Sequence, residues 1–186
     1  MLLAVWALTA LTHLSVDFDM DNDHTEVSKQ LAGNDLLPLP SLANLRLSAL
    51  DVNVSIDADG FAVALRGMPQ LTALCLESVD LEGSFQNLVN AIADLPKLVS
   101  LTMWSCGNHT QRWAEAAPAV ERMQHVEHLD VANLTAPRTL RALPALTALT
   151  TLILRDRADE DGPCFERLAA ALTSLSSLRD LSLIHI

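Results

Sequence analysis

The chain has 186 residues, of which 50% are hydrophobic and 4% aromatic, and its formal net charge is −11. This apolar content argues against a disordered chain. The acidic charge disfavours nucleic acid as a partner, because the 12 Lys and Arg residues form no basic cluster that could attract phosphates. A partner protein would present a basic or neutral surface, although a solvated acidic surface without a partner is the simpler alternative.

The first segment of the chain is apolar and could be interpreted as a signal peptide. However, no Lys or Arg precedes Lys29, so the positive region that such peptides carry is missing. The apolar run breaks at His13 and Asp17, well short of a membrane span, and we expect no membrane partner. Acidic residues follow at Asp19 to Asp23, but the Gly and the closing Glu of a calcium loop are missing.

The spacing Leu-x-x-Leu-x-Leu, with Val or Met at some positions, recurs seven times along the chain. The second members of successive copies are 31, 29, 27, 28, 23 and 29 residues apart. A recurrence of this length predicts a solenoid, in which each repeat packs only against its neighbours. The seven copies are Leu11/Leu14/Val16, Leu42/Leu45/Leu47, Leu71/Leu74/Leu76, Leu98/Leu101/Met103, Val126/Leu129/Val131, Leu149/Leu152/Leu154 and Leu178/Leu181/Leu183.

The third copy shows what one repeat contains. Residues 73–77 alternate between apolar and other side chains, which predicts a short strand. Helical spacing then begins after Gly83 or Ser84, and Pro96 is expected to stop the helix. Similar patterns predict helices near 24–33, 59–67, 110–122 and 163–173. The short step of 23 residues leaves only a cramped turn around 137–143.

This arrangement resembles the leucine-rich repeat family, specifically its helix-bearing, ribonuclease-inhibitor-like class. The resemblance implies an α/β solenoid of horseshoe shape with about seven repeats, a parallel sheet on the concave side and helices on the convex side. In that family an Asn or Cys usually stands three residues after the last Leu of the motif and bonds the neighbouring loop. Only Asp19 and Cys106 come close, so we expect the loops to be held mainly by apolar packing. The other equivalent residues are Leu50, Val79, Leu134, Arg157 and Ile186.

Terminal repeats of a solenoid need a polar cap, and no cap sequence precedes Leu8 or follows Leu183. We therefore predict a single leucine-rich repeat domain over residues 1–180 that is a fragment truncated at both ends. Residues 181–186 match one reading frame of a transposon end used in sequencing libraries. They are interpreted as a sequencing-adapter scar or, because Leu181 and Leu183 fit the repeat, as the last strand.

A partner is expected on the concave sheet, where the residues between the motif leucines face outward. Trp104 stands in the middle of this strip and could anchor a partner, or it could fold over Ala132 and Thr102. The acidic side chains of Glu77 and Asp130 would contact a partner's Lys or Arg. The predicted partner-binding residues are Arg46, Glu77, Thr102, Trp104, His128, Asp130 and Arg155.

Catalytic and metal-binding patterns are weak. His125 and His128, with His109 upstream, lack the geometry of a zinc site, and two solvent-facing histidines are expected instead. Cys164 follows Pro163 at a predicted helix start, but no His lies near it in sequence. Phosphate loops and hydrolase motifs are absent from the sequence, so we predict no enzyme, no metal and no cofactor.

The sequence therefore predicts a non-catalytic scaffold that binds another protein on its concave face. The three cysteines form no pairing pattern and favour a reducing, cytoplasmic location. One alternative is the substrate-recognition arm of a larger enzyme, such as a ubiquitin ligase. Another is a secreted or surface recognition protein, favoured by the glycosylation triplets at Asn53, Asn108 and Asn133.

Overall fold

The chain is an α/β protein, and its computed structural model describes residues 9–18, 29–31, 39–49, 54–106, 110–134, 136–156 and 164–185. The strands are β1 His13–Phe18, β2 Lys29–Leu31, β3 Asn44–Ala49, β4 Val54–Asp57, β5 Ala73–Glu77, β6 Asp80–Glu82, β7 Ser100–Trp104, β8 His128–Ala132, β9 Thr151–Asp156 and β10 Asp180–His185. The helices are α1 Ala58–Arg66, α2 Phe85–Ala93, α3 Thr110–Val120, α4 Pro137–Ala142 and α5 Cys164–Leu172.

Seven of these strands form one parallel sheet in the order β1-β3-β5-β7-β8-β9-β10. Neighbouring strands are aligned so that equivalent leucines of the recurring spacing pair with each other, as Leu74 does with Leu45 and Leu101. The strand predicted at 73–77 is confirmed with the same bounds. A parallel sheet, as the family resemblance implied, is therefore present, and its strands succeed one another in chain order.

The turn before each strand contains the same backbone hydrogen bonds. One carbonyl accepts from two successive N–H groups in the next turn: the Ala43 carbonyl, for example, accepts from Thr72 and Ala73 at 2.7 and 3.0 Å. Six carbonyls do this, those of Thr12, Ala43, Thr72, Val99, Glu127 and Thr150. Because buried backbone groups must be paired, this recurrence fixes where each strand begins relative to the strand before it.

The core lies on the leucine side of the sheet. Leu74, Leu76, Leu101 and Met103 are buried, and they share one apolar cluster with residues from all five described helices. Strand β5 shows the alternation that produces this arrangement, since its two leucines are buried while the residues between them remain partly exposed. An alternating strand places its apolar side chains on one face only, so the helices have to pack there.

A second parallel sheet of three short strands, in the order β2-β4-β6, corrects one prediction. The sequence predicted a helix near 24–33, but Lys29–Leu31 form strand β2, paired with Val54, Ser55 and Ile56 of β4. The local pattern missed this because the strand depends on a partner separated from it by more than twenty residues. Residues 24–28, 32 and 33 lie outside the described part of the chain.

The helices predicted near 59–67, 110–122 and 163–173 are confirmed as α1, α3 and α5. Helix α2 begins after Ser84, whose hydroxyl accepts the Asn87 N–H at 3.2 Å, and it ends at Ala93, before Pro96. The prediction of only a turn around 137–143 is wrong. Pro137 begins the short helix α4, and a 3-10 turn follows at Leu143–Ala145, because proline fits the first helical position and Leu140 and Leu143 become buried.

Polar contacts connect helix α1, which contains Asp59, with helix α2, which contains Asn87. The Asp59 carboxylate accepts the Ser84 N–H at 3.1 Å and the Asn87 side-chain amide at 2.7 Å, and the bond from Asn87 is the main cause of its lowered pKa. Gly83 lies between these helices with φ of 84°, and a Cβ there would meet Asp59 Oδ2 at 2.8 Å. Glycine is therefore needed for both its backbone conformation and its small size.

Trp113 of α3 ties the helical side to the sheet. Its ring meets Phe85 edge-on, with the ring centroids 4.9 Å apart, and its Nε1 donates to the Ala132 carbonyl at 3.0 Å. The side chain is buried, so its N–H needs this partner.

None of the described helices combines the length and the apolar run that crossing a bilayer requires.

The strands β5, β7 and β8 are each followed by a residue with positive φ: Ser78 at 55°, Ser105 at 55° and Asn133 at 60°. The next residues are Val79, Cys106 and Leu134. Val79 and Leu134 are buried, and Cys106 Sγ donates to the Leu76 carbonyl at 3.3 Å. This bond and the two buried aliphatic side chains agree with the loop packing expected from the sequence. Asp19, Leu50, Arg157 and Ile186 lie outside the described residues.

The Cys106 thiol should make the free energy of unfolding depend on pH in the alkaline range. Burial raises the pKa of this thiol from 9.0 to about 12, so between these values the unfolded chain releases a proton that the folded chain keeps. The free energy of unfolding should therefore fall as pH rises, by at most about 1.4 kcal/mol per pH unit for this group. Urea unfolding at intervals from about pH 8 to about pH 11 measures the slope.

The Cys106→Ser variant is the matched control for that slope, because serine keeps a donor for the Leu76 carbonyl and does not titrate. The pKa of the Cys75 thiol is also raised to about 12, so the variant should keep part of the slope and lose the part that belongs to Cys106. Equal pH slopes in the wild type and in the variant would contradict the assignment.

Thr139 of α4 is fully buried, and its hydroxyl has no hydrogen-bond partner in the described part of the chain. Thr139→Val keeps the shape and removes the unpaired hydroxyl, so the free energy of unfolding should rise by about 1 kcal/mol. Thr139→Ser keeps the hydroxyl and loses a methyl group, and it should lower stability. Chemical denaturation of both variants tests this prediction, and a less stable valine variant would refute it.

Candidate functional site

One face of the seven-stranded sheet has no described helix on it. All five described helices share the core on the leucine side, and on the opposite face most side chains keep some exposure. Parallel sheets are usually covered on both faces, so an open face is a candidate for binding. We call it the polar sheet face; across strands β1, β3, β5, β7, β8 and β9 its middle row is Ser15, Arg46, Cys75, Thr102, Asp130 and Ile153.

The strand register places all seven predicted binding residues on this face. Arg46, Thr102 and Asp130 lie in the middle row. Glu77 pairs with Trp104 in the row that follows, and Arg155 pairs with Ala132 in the same row. His128 lies in the row before, beside Ser100.

Arg46 and Glu77 form an ion pair across two neighbouring strands. The guanidinium donates to Glu77 Oε2 at 2.7 Å, and its Nε lies 3.8 Å from Asp17 Oδ1. The second Glu77 oxygen accepts from Cys75 Sγ at 3.2 Å, and the Glu77 side chain is only 15% exposed. Both Glu77 oxygens therefore already have donors within the chain, and the contact of Glu77 with a partner's Lys or Arg stays a prediction.

Cys75 is chemically quiet in this setting. Its partly buried thiol is desolvated and donates to Glu77, and these two effects raise its pKa to about 12. A nucleophilic cysteine needs a lowered pKa and a cationic surrounding, and this thiol has neither. Cys75 therefore serves as a donor that orients Glu77 on the polar sheet face.

Asp130, Arg155 and Trp104 form the most tightly built part of the face. Arg155 donates from Nε and from a terminal nitrogen to the two Asp130 oxygens, each at 2.8 Å. The guanidinium carbon also lies 5.1 Å from the centroid of the Trp104 ring. Both the bidentate bond and the cation–π contact favour one orientation of Arg155. Bonding to Asp130 raises the pKa of Arg155, so the guanidinium stays charged.

The structure adds the surroundings of Asp130 and Trp104. Asp130 lies on the outward face of the sheet, but it is 6% exposed and bonded to Arg155, because a desolvated carboxylate needs a paired cation. Trp104 was expected either to anchor a partner or to fold over Ala132 and Thr102, and both alternatives stay predictions. Its ring meets the guanidinium of Arg155, which lies two strands away and pairs with Ala132 of the strand between.

His125 and His128 lie in different surroundings. His125 lies in the turn before β8, with its Nε2 3.0 Å from the Leu95 carbonyl, so the expectation of a solvent-facing ring is wrong for this residue. His128 begins β8 and is partly exposed, and His109 lies outside the described residues. Among the residues that the structure describes, no three His, Cys, Asp or Glu side chains are grouped to hold a metal ion.

The two ion pairs share a geometry that the sequence contains. In each pair a middle-row residue bonds the residue two positions further along on the next strand: Arg46 bonds Glu77, and Asp130 bonds Arg155. Opposite charges at such diagonal positions lie within reach of long side chains. The leucine register therefore contains the information that predicts both ion pairs, but the pairs connect different rows of the sheet, and the predicted rows alone do not show them.

Comparison of the chain with models of known protein families gives no match, and comparison with curated proteins also gives none.

The Asp130 carboxylate should control the exposure of Trp104. Asp130→Asn keeps the side-chain size but removes the charge that holds Arg155, so the guanidinium should leave the ring. We expect a loss of about 1–3 kcal/mol in the free energy of unfolding and stronger quenching of tryptophan fluorescence by acrylamide. Denaturation and quenching titrations measure the two effects.

Asp94→Asn is the matched control, because Asp94 forms an exposed ion pair with Arg122 at 3.3 Å, outside the polar sheet face. An exposed pair contributes little, so this variant should change stability by less than about 1 kcal/mol and leave quenching unchanged. The same response from both variants would show that the Asp130 bond does not position Arg155 on Trp104.

Proposed function

We propose that the chain is a non-catalytic interaction module of the leucine-rich repeat type that binds another protein on its polar sheet face. The observation that carries this proposal is the Trp104–Arg155–Asp130 arrangement on the open face of a parallel sheet. In this proposal the polar sheet face is the concave side of a solenoid. The three cysteines are dispersed in the sequence without a disulfide pattern, and this supports a cytoplasmic location.

Three regularities support the solenoid interpretation. The seven strands follow one another in chain order, with equivalent leucines in register. Before each of six successive strands of the sheet, the carbonyl at the equivalent position of the preceding turn accepts two N–H groups. A residue with positive φ follows β5, β7 and β8 at the same position. Such recurrence is what a stack of similar units produces, because each unit repeats the contacts of the one before it.

The composition of the face supports a protein partner. Trp and Arg are the residues that most often dominate protein interfaces, and here they already contact each other. Since Asp130 holds Arg155 from behind, the pair loses little side-chain entropy on binding. Seven strands at ~4.8 Å spacing give a face roughly 29 Å long, which is enough for one helix or loop of a partner.

The internal ion pairs define what the partner would meet. Because Glu77 and Asp130 are each paired with an arginine, their charges are balanced within the chain, and Asp17 is the more exposed acid, with 63% of its side chain accessible. We therefore propose that the partner contributes an apolar or aromatic side chain to the exposed part of Trp104. A basic group on the partner would lie towards Asp17.

Selection of ligands from a phage-displayed library of random peptides tests the proposed site. The expected ligands contain aromatic and basic residues, and Trp104→Ala should weaken their binding by about thirtyfold, as for the loss of an interface anchor. Trp104→Phe keeps a stacking ring and should retain part of the affinity. Fluorescence polarisation of the labelled peptides provides the dissociation constants.

Val63→Ala is the matched control, because Val63 is 65% exposed on α1, on the helical side. Circular dichroism should show that all three variants remain folded. Selected peptides whose binding survives Trp104→Ala, or is lost equally with Val63→Ala, would refute the assignment of the polar sheet face as the binding site.

A further inference from the structure

The helical side contains a groove between α4 and α5. It arises because only 23 residues separate the equivalent positions of β8 and β9, so helix α4 has six residues where α3 has eleven and α5 has nine. The short helix cannot fill the space beside α5. A groove of about 340 Å³ remains, lined by side chains from both helices and from the turn after α4.

The floor of this groove is apolar and two arginines stand along it. Leu140, Pro144, Ala170 and Ala171 contribute the apolar lining, and Arg141 and Arg167 contribute the cations. Arg141 belongs to α4 and Arg167 to α5, so one positive charge comes from each wall. An apolar floor between two charges suits an amphipathic ligand better than a small polar one.

These two arginines differ from most other cations in the described part of the chain. Arg46, Arg122 and Arg155 form ion pairs, and Arg112 donates to the Leu81 carbonyl at 2.8 Å. Arg141 and Arg167 are exposed and have no hydrogen bond or ion pair with any described residue. On a protein with a net charge of −11, two cations that lack a described partner and lie beside one apolar groove form a local surface of opposite sign.

We propose that the α4–α5 groove binds an acidic amphipathic segment of a partner protein. Aliphatic side chains of that segment would enter the groove over Leu140 and Ala171, and flanking carboxylates would bond Arg141 and Arg167 in bidentate fashion. A nucleic acid fits less well, because the apolar floor offers nothing to sugars or phosphates and the net charge repels a polyanion. This site is separate from the polar sheet face, and its partner would have the opposite charge.

A synthetic helical peptide that alternates leucine pairs with glutamates is the probe, and the same peptide with lysines in place of glutamates is its control. Fluorescence anisotropy with the full chain should show binding of the Glu peptide that weakens with added salt, and no binding of the Lys peptide. Arg141→Glu combined with Arg167→Glu should reduce the affinity about tenfold or more.

Arg66→Glu is the matched charge control, because Arg66 is an exposed cation in the last turn of α1, away from the groove. Ala170→Trp tests the groove without changing charge, since it fills the space between the helices, and Val63→Trp is its control on an exposed site of α1. Both controls should bind the Glu peptide like the wild type. Thermal unfolding of all variants should show that they remain folded.

Three outcomes would overturn the proposal. Equal weakening by Arg66→Glu would mean a non-specific charge effect, and weakening by Trp104→Ala alone would place the peptide on the polar sheet face. A gain in affinity when Asp159, Glu160 and Asp161 become Asn, Gln and Asn would identify the chain's own acidic residues as the competing ligand. Loss of binding in both the double charge variant and Ala170→Trp, with unchanged controls, would support it.

Discussion

The structure depends on the register between neighbouring parallel strands. Because side chains alternate along a strand, a slip of one residue would turn every leucine of that strand from the core to solvent. The pairing of Leu45, Leu74 and Leu101 with one another keeps a continuous dry interior under the sheet. The shared carbonyls in the turns oppose the same slip, since a shifted strand would break two backbone hydrogen bonds in each turn.

The fixed register also organises the opposite face. Once the leucines are aligned, Arg46 lies diagonally from Glu77, and Asp130 lies diagonally from Arg155. Each of these ion pairs connects two neighbouring strands. The paired acids are then held away from solvent, and Trp104 keeps a partly exposed ring on a charged, rigid support. The same constraint that builds the core therefore decides which side chains of the polar sheet face can meet another molecule.

The helical side tolerates much more variation than the sheet. The chain steps between strands differ in length, and the difference is absorbed by helices of six to eleven residues and by the turns that follow them. Around α4 this leaves a fully buried hydroxyl at Thr139 and an open groove beside α5. Among the described residues, this layer therefore contains both the buried Thr139 hydroxyl without a partner and the shortest step between successive strands of the sheet.

The sequence by itself determined the strand at 73–77 and helices α1, α2, α3 and α5, because each depends on a local period of aliphatic side chains. It failed at Lys29–Leu31, where pairing with a distant strand decided the conformation, and at Pro137–Ala142, where burial of Leu140 stabilises a helix in a short step. It also identified the residues of the polar sheet face, but not their burial or their hydrogen-bond partners. Only the tertiary structure decided that Asp130 is buried against Arg155 and that Trp104 rests on the same guanidinium, since burial and pairing depend on side chains from three different strands.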